Sequence, residues 1–534
     1  MKIKKMLSIK LKTLKNFYNA NYIVATLVFV FLHLCGNTLL DPVNISQLNN
    51  CIIFYLSLCF ILTYISKDKT YKDLVTLKIV QVTGIASFLL SLFFLDATTS
   101  NIFDSSSKSI LLKAYHLKIL GGVFALLSLR APLLGVLPVL SFSILKHRDD
   151  IIFGTITTST DYISVVQFCI FLTMCTFLLK LVKKETYNEK NIFFISILFF
   201  FAAYFKSGLG KIILKPYFSW IISNPTFSIL ERAQYLRCFP PAVFNETLSS
   251  YIILVLQKSN TVLNIMALLI ELSPLLIIIY PNLLKKIIPV YILFHFTVYM
   301  LTGVFFFKWI IFLMIVYFFL QTKKLNMNYI SKYTRVYVLI FFIVFSLKDF
   351  SGSGFKILNL SWFDSPAVNR ISIYAVTETS RDLITNNFWL SRSFSILANR
   401  YSSAFNNRFP SSSEGPQELS ENKLYLLKKI KPTLLSSDEN LNSYRIRLSQ
   451  ELLAIHSYYE KSSYPIWIYN FFPHHVTSLG FPSSFLKDIP LKNILFYEVI
   501  NETGFLTLST KKNFMVPLTF DRFIIDIKQN RFKD

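Results

Sequence analysis

Lysine, glutamate and histidine stand where this sequence is otherwise most apolar, and together they suit acid–base chemistry. Lys206 and Lys211 follow the run Ile192–Tyr204 (IFFISILFFFAAY), with Gly208 and Gly210 between them and Trp220 downstream. Glu271 sits inside ALLIELSPLLI, close to Asn264 and just ahead of Pro274. His295 sits inside VYILFHFTVYMLTG, and Asp161 opens another apolar run in TTSTDYISV. An amine held away from water can serve as a base, while a carboxylate and an imidazole can position it or relay its proton. Simpler roles stay open for each residue. The two lysines can snorkel to an interface, and Glu271 can pair with Lys211 or Lys206 for structure alone. His295 can donate to a buried carbonyl, and Asp161 can cap a helix. Glycines at 208 and 210 permit close helix approach or a change of direction.

These residues carry information because hydrocarbon is the medium the sequence implies. A charge at the centre of a bilayer costs roughly 2.5–3.5 kcal/mol on insertion scales, so it needs a partner, water or a function. The chain has 534 residues, 53% hydrophobic and 16% charged, whereas soluble domains carry about a quarter charged residues. Apolar runs recur over 22–40, 50–66, 74–95, 111–129, 131–145, 161–181, 191–207, 261–280, 288–306, 309–321 and 333–347. Helices of about twenty apolar residues match a hydrocarbon core roughly 30 Å thick. The expected fold is an all-α multi-pass membrane bundle of about nine to eleven spans, followed by an extramembrane α+β C-terminal domain. The step Arg130-Ala131-Pro132 predicts a tight hairpin or a broken helix within 111–145. Residues 208–260 mix prolines, aromatics and charges with apolar stretches, and predict an interfacial or re-entrant segment against the bundle.

Charge places the elements. The net charge is +25, with 34 Lys and Arg against 13 Asp and Glu in residues 1–348 and 21 against 17 in residues 349–534. The excess lies in short loops beside apolar runs, as the positive-inside rule expects of cytoplasmic loops. The division is a basic cytoplasmic N-terminus (1–21), a multi-pass domain (22–348) and a non-cytoplasmic tail (349–534) that begins at Ser351-Gly352-Ser353-Gly354. This distribution favours membrane lipid as the counter-charge and argues against nucleic acid. In the tail, Ser443–Leu448 and Arg522–Ile527 alternate as strands do, while 419–430 and 449–460 can form helices. His474-His475 offers two imidazoles without a third ligand, so no metal site is expected. Common nucleotide-binding, hydrolase-elbow and zinc-protease motifs are absent from the sequence.

One set of motifs resembles a known family. Tyr204-Phe205-Lys206-Ser207-Gly208-Leu209-Gly210-Lys211 with Trp220 downstream, then Glu271-Leu272-Ser273, then Phe294-His295 with Gly303-Val304-Phe305-Phe306, looks like the HTTM proteins. These are the membrane proteins related to vitamin K-dependent gamma-carboxylase. The match covers about 150–320. The resemblance implies a tail outside the cytoplasm and a lipid-soluble quinone-type cofactor, the vitamin K hydroquinone in true carboxylases. It assigns the base to Lys211, with Glu271, His295 and Asp161 as further catalytic candidates and Lys206 and Trp220 as cofactor-binding candidates. The sequence departs at Thr160 before Tyr162, where carboxylases carry a histidine, and at Gly210, which replaces the first of a lysine pair. The expectation is a divergent member with the fold retained, a carboxylase-related oxidoreductase using a quinone-type cofactor. Two rival readings stand beside it: a transporter or lipid-handling protein gated by Glu271 and the lysines, and a membrane-anchored scaffold whose tail binds an exported protein or peptide.

Overall fold

A computed structural model describes residues 20–39, 45–66, 74–92, 114–153, 160–182, 188–213, 246–302, 306–322, 330–347, 367–384, 491–507, 514–527 and 531–533, with isolated positions between them. The described chain is mostly helical. Helices α1 (Ala20–Leu39), α2 (Ile45–Ile65), α3 (Val75–Ser91) and α4 (Ala114–Ser128) come first. A 3-10 turn (Pro132–Gly135) leads into α5 (Val136–Phe153), then α6 (Thr160–Val182) and α7 (Glu189–Ile213). The series continues with α8 (Glu246–Leu272), α9 (Pro274–Ile279), α10 (Leu284–Thr302), α11 (Phe307–Gln321) and α12 (Lys332–Leu347).

Among the described residues, five segments are long and apolar enough to cross a membrane: Leu48–Ile65, Tyr162–Leu179, Glu189–Leu209, Tyr251–Ile279 and Pro281–Met300. Five more apolar helices are shorter, among them Val75–Ser91 and Phe307–Gln321. All eleven apolar runs of the sequence fall on helices, but only some reach spanning length as single helices. The 261–280 run lies within a longer helix that starts at Glu246 and breaks at Ser273-Pro274.

The bundle is built around α6 and α7. More than four fifths of each of their apolar windows is buried, against about a third of α2, α8–α9 and α10. A helix apolar on all sides must be surrounded, and these two are. Helix α7 packs against α6, α8, α9 and α12. The core between them is aromatic: Phe168 meets Phe312 edge-on at 4.9 Å, and Phe200 lies 4.9 Å from Phe312 and 5.1 Å from Trp309. The peripheral helices turn large apolar side chains outward, including Phe60, Tyr251, Leu269 and Leu293.

The step at Arg130 is a hairpin. Helix α4 ends at Ser128, Pro132 opens the 3-10 turn, and α5 packs back along α4. Gly135 makes the turn fit, because a Cβ there would stand 2.5 Å from the Gln81 Cα of α3. A polar brace ties α3 to α7. Glu189 Oε1 accepts from the Thr76 amide at 2.7 Å and from its hydroxyl at 2.9 Å, so the first residue of one helix caps another.

The tail's described part is an antiparallel sheet of β1 (Ala367–Val376), β2 (Arg381–Ile384), β3 (Phe496–Thr507), β4 (Phe514–Asp526) and β5 (Arg531–Lys533), in the order β2-β1-β3-β4-β5. One face buries Ala375, Tyr497, Val499, Phe523 and Ile525. The alternation read in Arg522–Ile527 therefore belongs to β4. Ser443–Leu448, 419–430, His474-His475 and nearly all of 449–460 lie outside the described residues, as do 1–19 and 222–245 of the expected interfacial segment.

Candidate functional site

One face of α7 carries the site. Phe200, Tyr204, Ser207, Gly208 and Lys211 recur at three- and four-residue spacing, which stacks them along one side of a helix. Opposite them runs the end of α8. Gly208 sets the approach: a Cβ there would lie 3.0 Å from the Glu271 Cβ and 3.1 Å from the Leu272 Cδ2. The glycine acts by closeness and not by bending, since α7 runs unbroken to Ile213.

That closeness brings Lys211 Nζ to 2.5 Å from Glu271 Oε1, with each side chain 6% exposed. Ser207, one turn before Lys211, donates its hydroxyl to the same oxygen at 3.0 Å. The other oxygen, Oε2, is buried with no hydrogen-bond partner among the described residues. A carboxylate has about four lone-pair sites, so this one is half-satisfied. Lys206 lies five residues from Lys211, on a different face, and is half-buried. The bonds to Glu271 come from Ser207 and Lys211.

His295 joins the same cluster through Tyr204, whose hydroxyl is hydrogen-bonded to Nε2. Its Nδ1 is buried without a partner among the described residues. A neutral imidazole carries one donor and one acceptor, so His295 lacks one bond in either tautomer. Tyr291 and His295 stand one turn apart on α10, and the Tyr291 ring lies 4.3 Å from that of Tyr204. The Tyr291 hydroxyl bonds with that of Ser273 at 2.7 Å, at the α8–α9 break. Trp309 closes the group, 5.0 Å from Tyr204 and 5.1 Å from His295. Glu271 lies within electrostatic range of both tyrosines. Lys211, Glu271 and His295 thus belong to one contiguous buried cluster.

The remaining candidates fall elsewhere. Asp161 lies in the first turn of α6, with its side chain outside the described residues. Trp220 is also outside them. Asn264, two turns before Glu271, donates to the Ile221 carbonyl at 3.0 Å, so the stretch after α7 touches α8 there. Among the described residues no group of three metal-ligating side chains occurs. A shallow apolar crevice lies apart from the cluster, lined by Phe29, Phe171, Phe199, Tyr337 and Phe341 among others.

Two members of the cluster, Tyr291 and Trp309, went unread in the sequence. The four-residue step from Tyr291 to His295 was the available signal for the first, and Trp309 offers none beyond its type. The sequence matches no protein-family model, no curated protein and no solved structure. The likeness to HTTM proteins therefore rests on its motif residues alone.

Proposed function

We propose that this chain is an integral membrane protein, a divergent HTTM-type member, whose bundle carries a buried proton-transfer site for a lipid-soluble quinol. The membrane reading is supported by the outward faces of α2, α8 and α10. Phe60 is 79% exposed, Tyr251 66% and Leu293 68%, and soluble monomers rarely leave apolar patches wider than a few hundred Å2 in water. With the basic N-terminus cytoplasmic, the tail emerges on the opposite side.

The observation that carries the chemistry is Glu271, paired on one oxygen and bare on the other within a buried aromatic cluster. Glu271 Oε2 is the proton acceptor. Lys211 and Ser207 fix the carboxylate through Oε1, which accepts from both. His295 Nδ1 offers a second unfilled contact, with its ring oriented by Tyr204. Two unfilled polar atoms among tyrosine and tryptophan rings give a mixed polar and aromatic lining, the kind that suits a flat aromatic ligand with hydroxyls. A hydroquinone would supply acidic hydroxyls and an electron-rich ring. Tyr204, Tyr291 and Trp309 would line it and exclude water.

The test uses the full chain in lipid nanodiscs, following the quinol absorbance and oxygen uptake. Glu271→Gln should lower turnover about 100-fold or more, the usual weight of a general base, and Lys211→Ala should fall with it. Absence of any quinol-dependent signal in the wild type, or a Glu271→Gln variant as active as the wild type, would remove this reading. The break at Ser273-Pro274 beside Glu271 favours a second one, because transporters build ion sites at interrupted helices. Substrate-dependent proton uptake in liposomes, without quinol chemistry, would select it.

A further inference from the structure

We propose that Arg381 and Arg522 form a binding site for a phosphate-type oxyanion on the charged face of the C-terminal sheet. The inference does not depend on the chemistry proposed for the bundle. Register puts the two arginines on one face with Glu498 between them. Arg381 pairs with Val376, which pairs with Phe496, two residues before Glu498. Arg522 pairs with Ile500, two residues after it. Side chains alternate along a strand, so all three point away from the buried apolar face.

Glu498 is nearly fully buried although it lies on this polar face, because the guanidinium groups cover it. Arg381 Nε donates to Oε2 at 2.6 Å, and Arg522 Nε stands 2.5 Å from Oε1. The arginines themselves stay 47% and 61% exposed. The Arg381 guanidinium also lies over the Tyr374 ring, 3.7 Å from its centroid, which holds its plane. One guanidinium would neutralise Glu498, and the second leaves the trio with a net positive charge. Each arginine meets the glutamate through Nε, Arg381 by a hydrogen bond and Arg522 by an ion pair. One carboxylate thus holds two half-exposed guanidinium groups side by side.

The class of ligand follows from the shape. A tetrahedral oxyanion presents enough oxygens to accept from both guanidinium groups at once. Guanidinium presents a fixed planar array of donors, and an ammonium in its place keeps the charge but loses that array. The phosphate could belong to a lipid headgroup or be free in solution.

Hydrogen exchange on the full chain in nanodiscs separates these sources. With zwitterionic lipid, millimolar inorganic phosphate should protect peptides covering 367–384 and 514–527 relative to chloride at equal ionic strength. With phosphatidic acid in the disc and no added phosphate, the same peptides should be protected if the headgroup is the source. Arg381→Lys and Arg522→Lys keep the pairing with Glu498 and should weaken the response about tenfold or more, a step of 1.4 kcal/mol. Should either variant fail to fold, its exchange in chloride will differ from the wild type, and the wild-type comparison alone then decides. No protection in either wild-type arm overturns the site. So does equal protection by chloride, or a folded lysine variant that responds as the wild type does.

Discussion

Two glutamates are buried among the described residues, and they are buried in different ways. Glu498 has a guanidinium on each oxygen, and both cations reach solvent. Glu271 has an ammonium and a hydroxyl on one oxygen and no described partner on the other, and its cation is as enclosed as itself. A buried charge costs free energy unless it is paired and hydrogen-bonded. Glu498 is ion-paired at both oxygens, although only Oε2 is hydrogen-bonded. Glu271 is paired at Oε1 alone, and the proposed chemistry uses the other oxygen.

The comparison breaks most sharply at Lys211. Lys211→Met leaves Glu271 as an uncompensated buried charge, and the expected loss is about 3–5 kcal/mol of stability. Adding Glu271→Leu removes the orphaned charge, so the double variant should recover most of that loss. Thermal or denaturant unfolding in detergent measures both. If the single variant is as stable as the wild type, or the double variant is worse than it, the pair is not the enclosed unit described above.

How much of this was legible depended on the range of the interaction. Apolar runs marked the helices because burial in hydrocarbon or protein imposes composition directly. Arg130-Ala131-Pro132 marked the hairpin because proline restricts the backbone locally. The pairing of Glu271 with Lys211 stood among the sequence readings, though Lys206 was an equal candidate there. Only the helical phase, which aligns Ser207 with Lys211 and leaves Lys206 on another side, separates the two. The sheet was less legible. Arg381 and Glu498 are 117 positions apart, and β1 pairs with β3 across more than a hundred residues; the alternation read in Arg522–Ile527 marked part of β4, whereas β1 and β3 went unread. Tyr291 and Trp309 went unread for the same reason: an aromatic in an aromatic-rich helix has no local mark of what it faces.

The sheet also has a pH limit of its own. Tyr497 is buried on the apolar face of β3, and burial pushes its phenol well above the usual 10.0. A raised folded value means the stabilising contribution is complete below the unfolded value and is lost as pH rises past it. Stability of the sheet should therefore fall above pH of about 10, by up to about 1.4 kcal/mol per pH unit. Tyr497→Phe should flatten that fall. Exchange of the 491–507 amides between neutral and alkaline pH, corrected for intrinsic rates, reads the difference. A variant that falls as steeply as the wild type would move the cause elsewhere.

The smallest expected effect tests the half-satisfied state of Glu271 most directly. Ser207→Ala removes one of the two donors to Oε1 and leaves Lys211 in place. A hydroxyl donating to a charged acceptor contributes about 1.5–3 kcal/mol at most, and less when another donor remains. Its stability cost should therefore be near 1 kcal/mol, well below that of Lys211→Met. Activity offers the sharper reading. If Oε2 is the working atom, loss of a donor at Oε1 leaves the carboxylate less well held, so turnover should change while quinol affinity does not. A change confined to affinity would place the ligand against Oε1 instead, and the assignment of the two oxygens would be reversed.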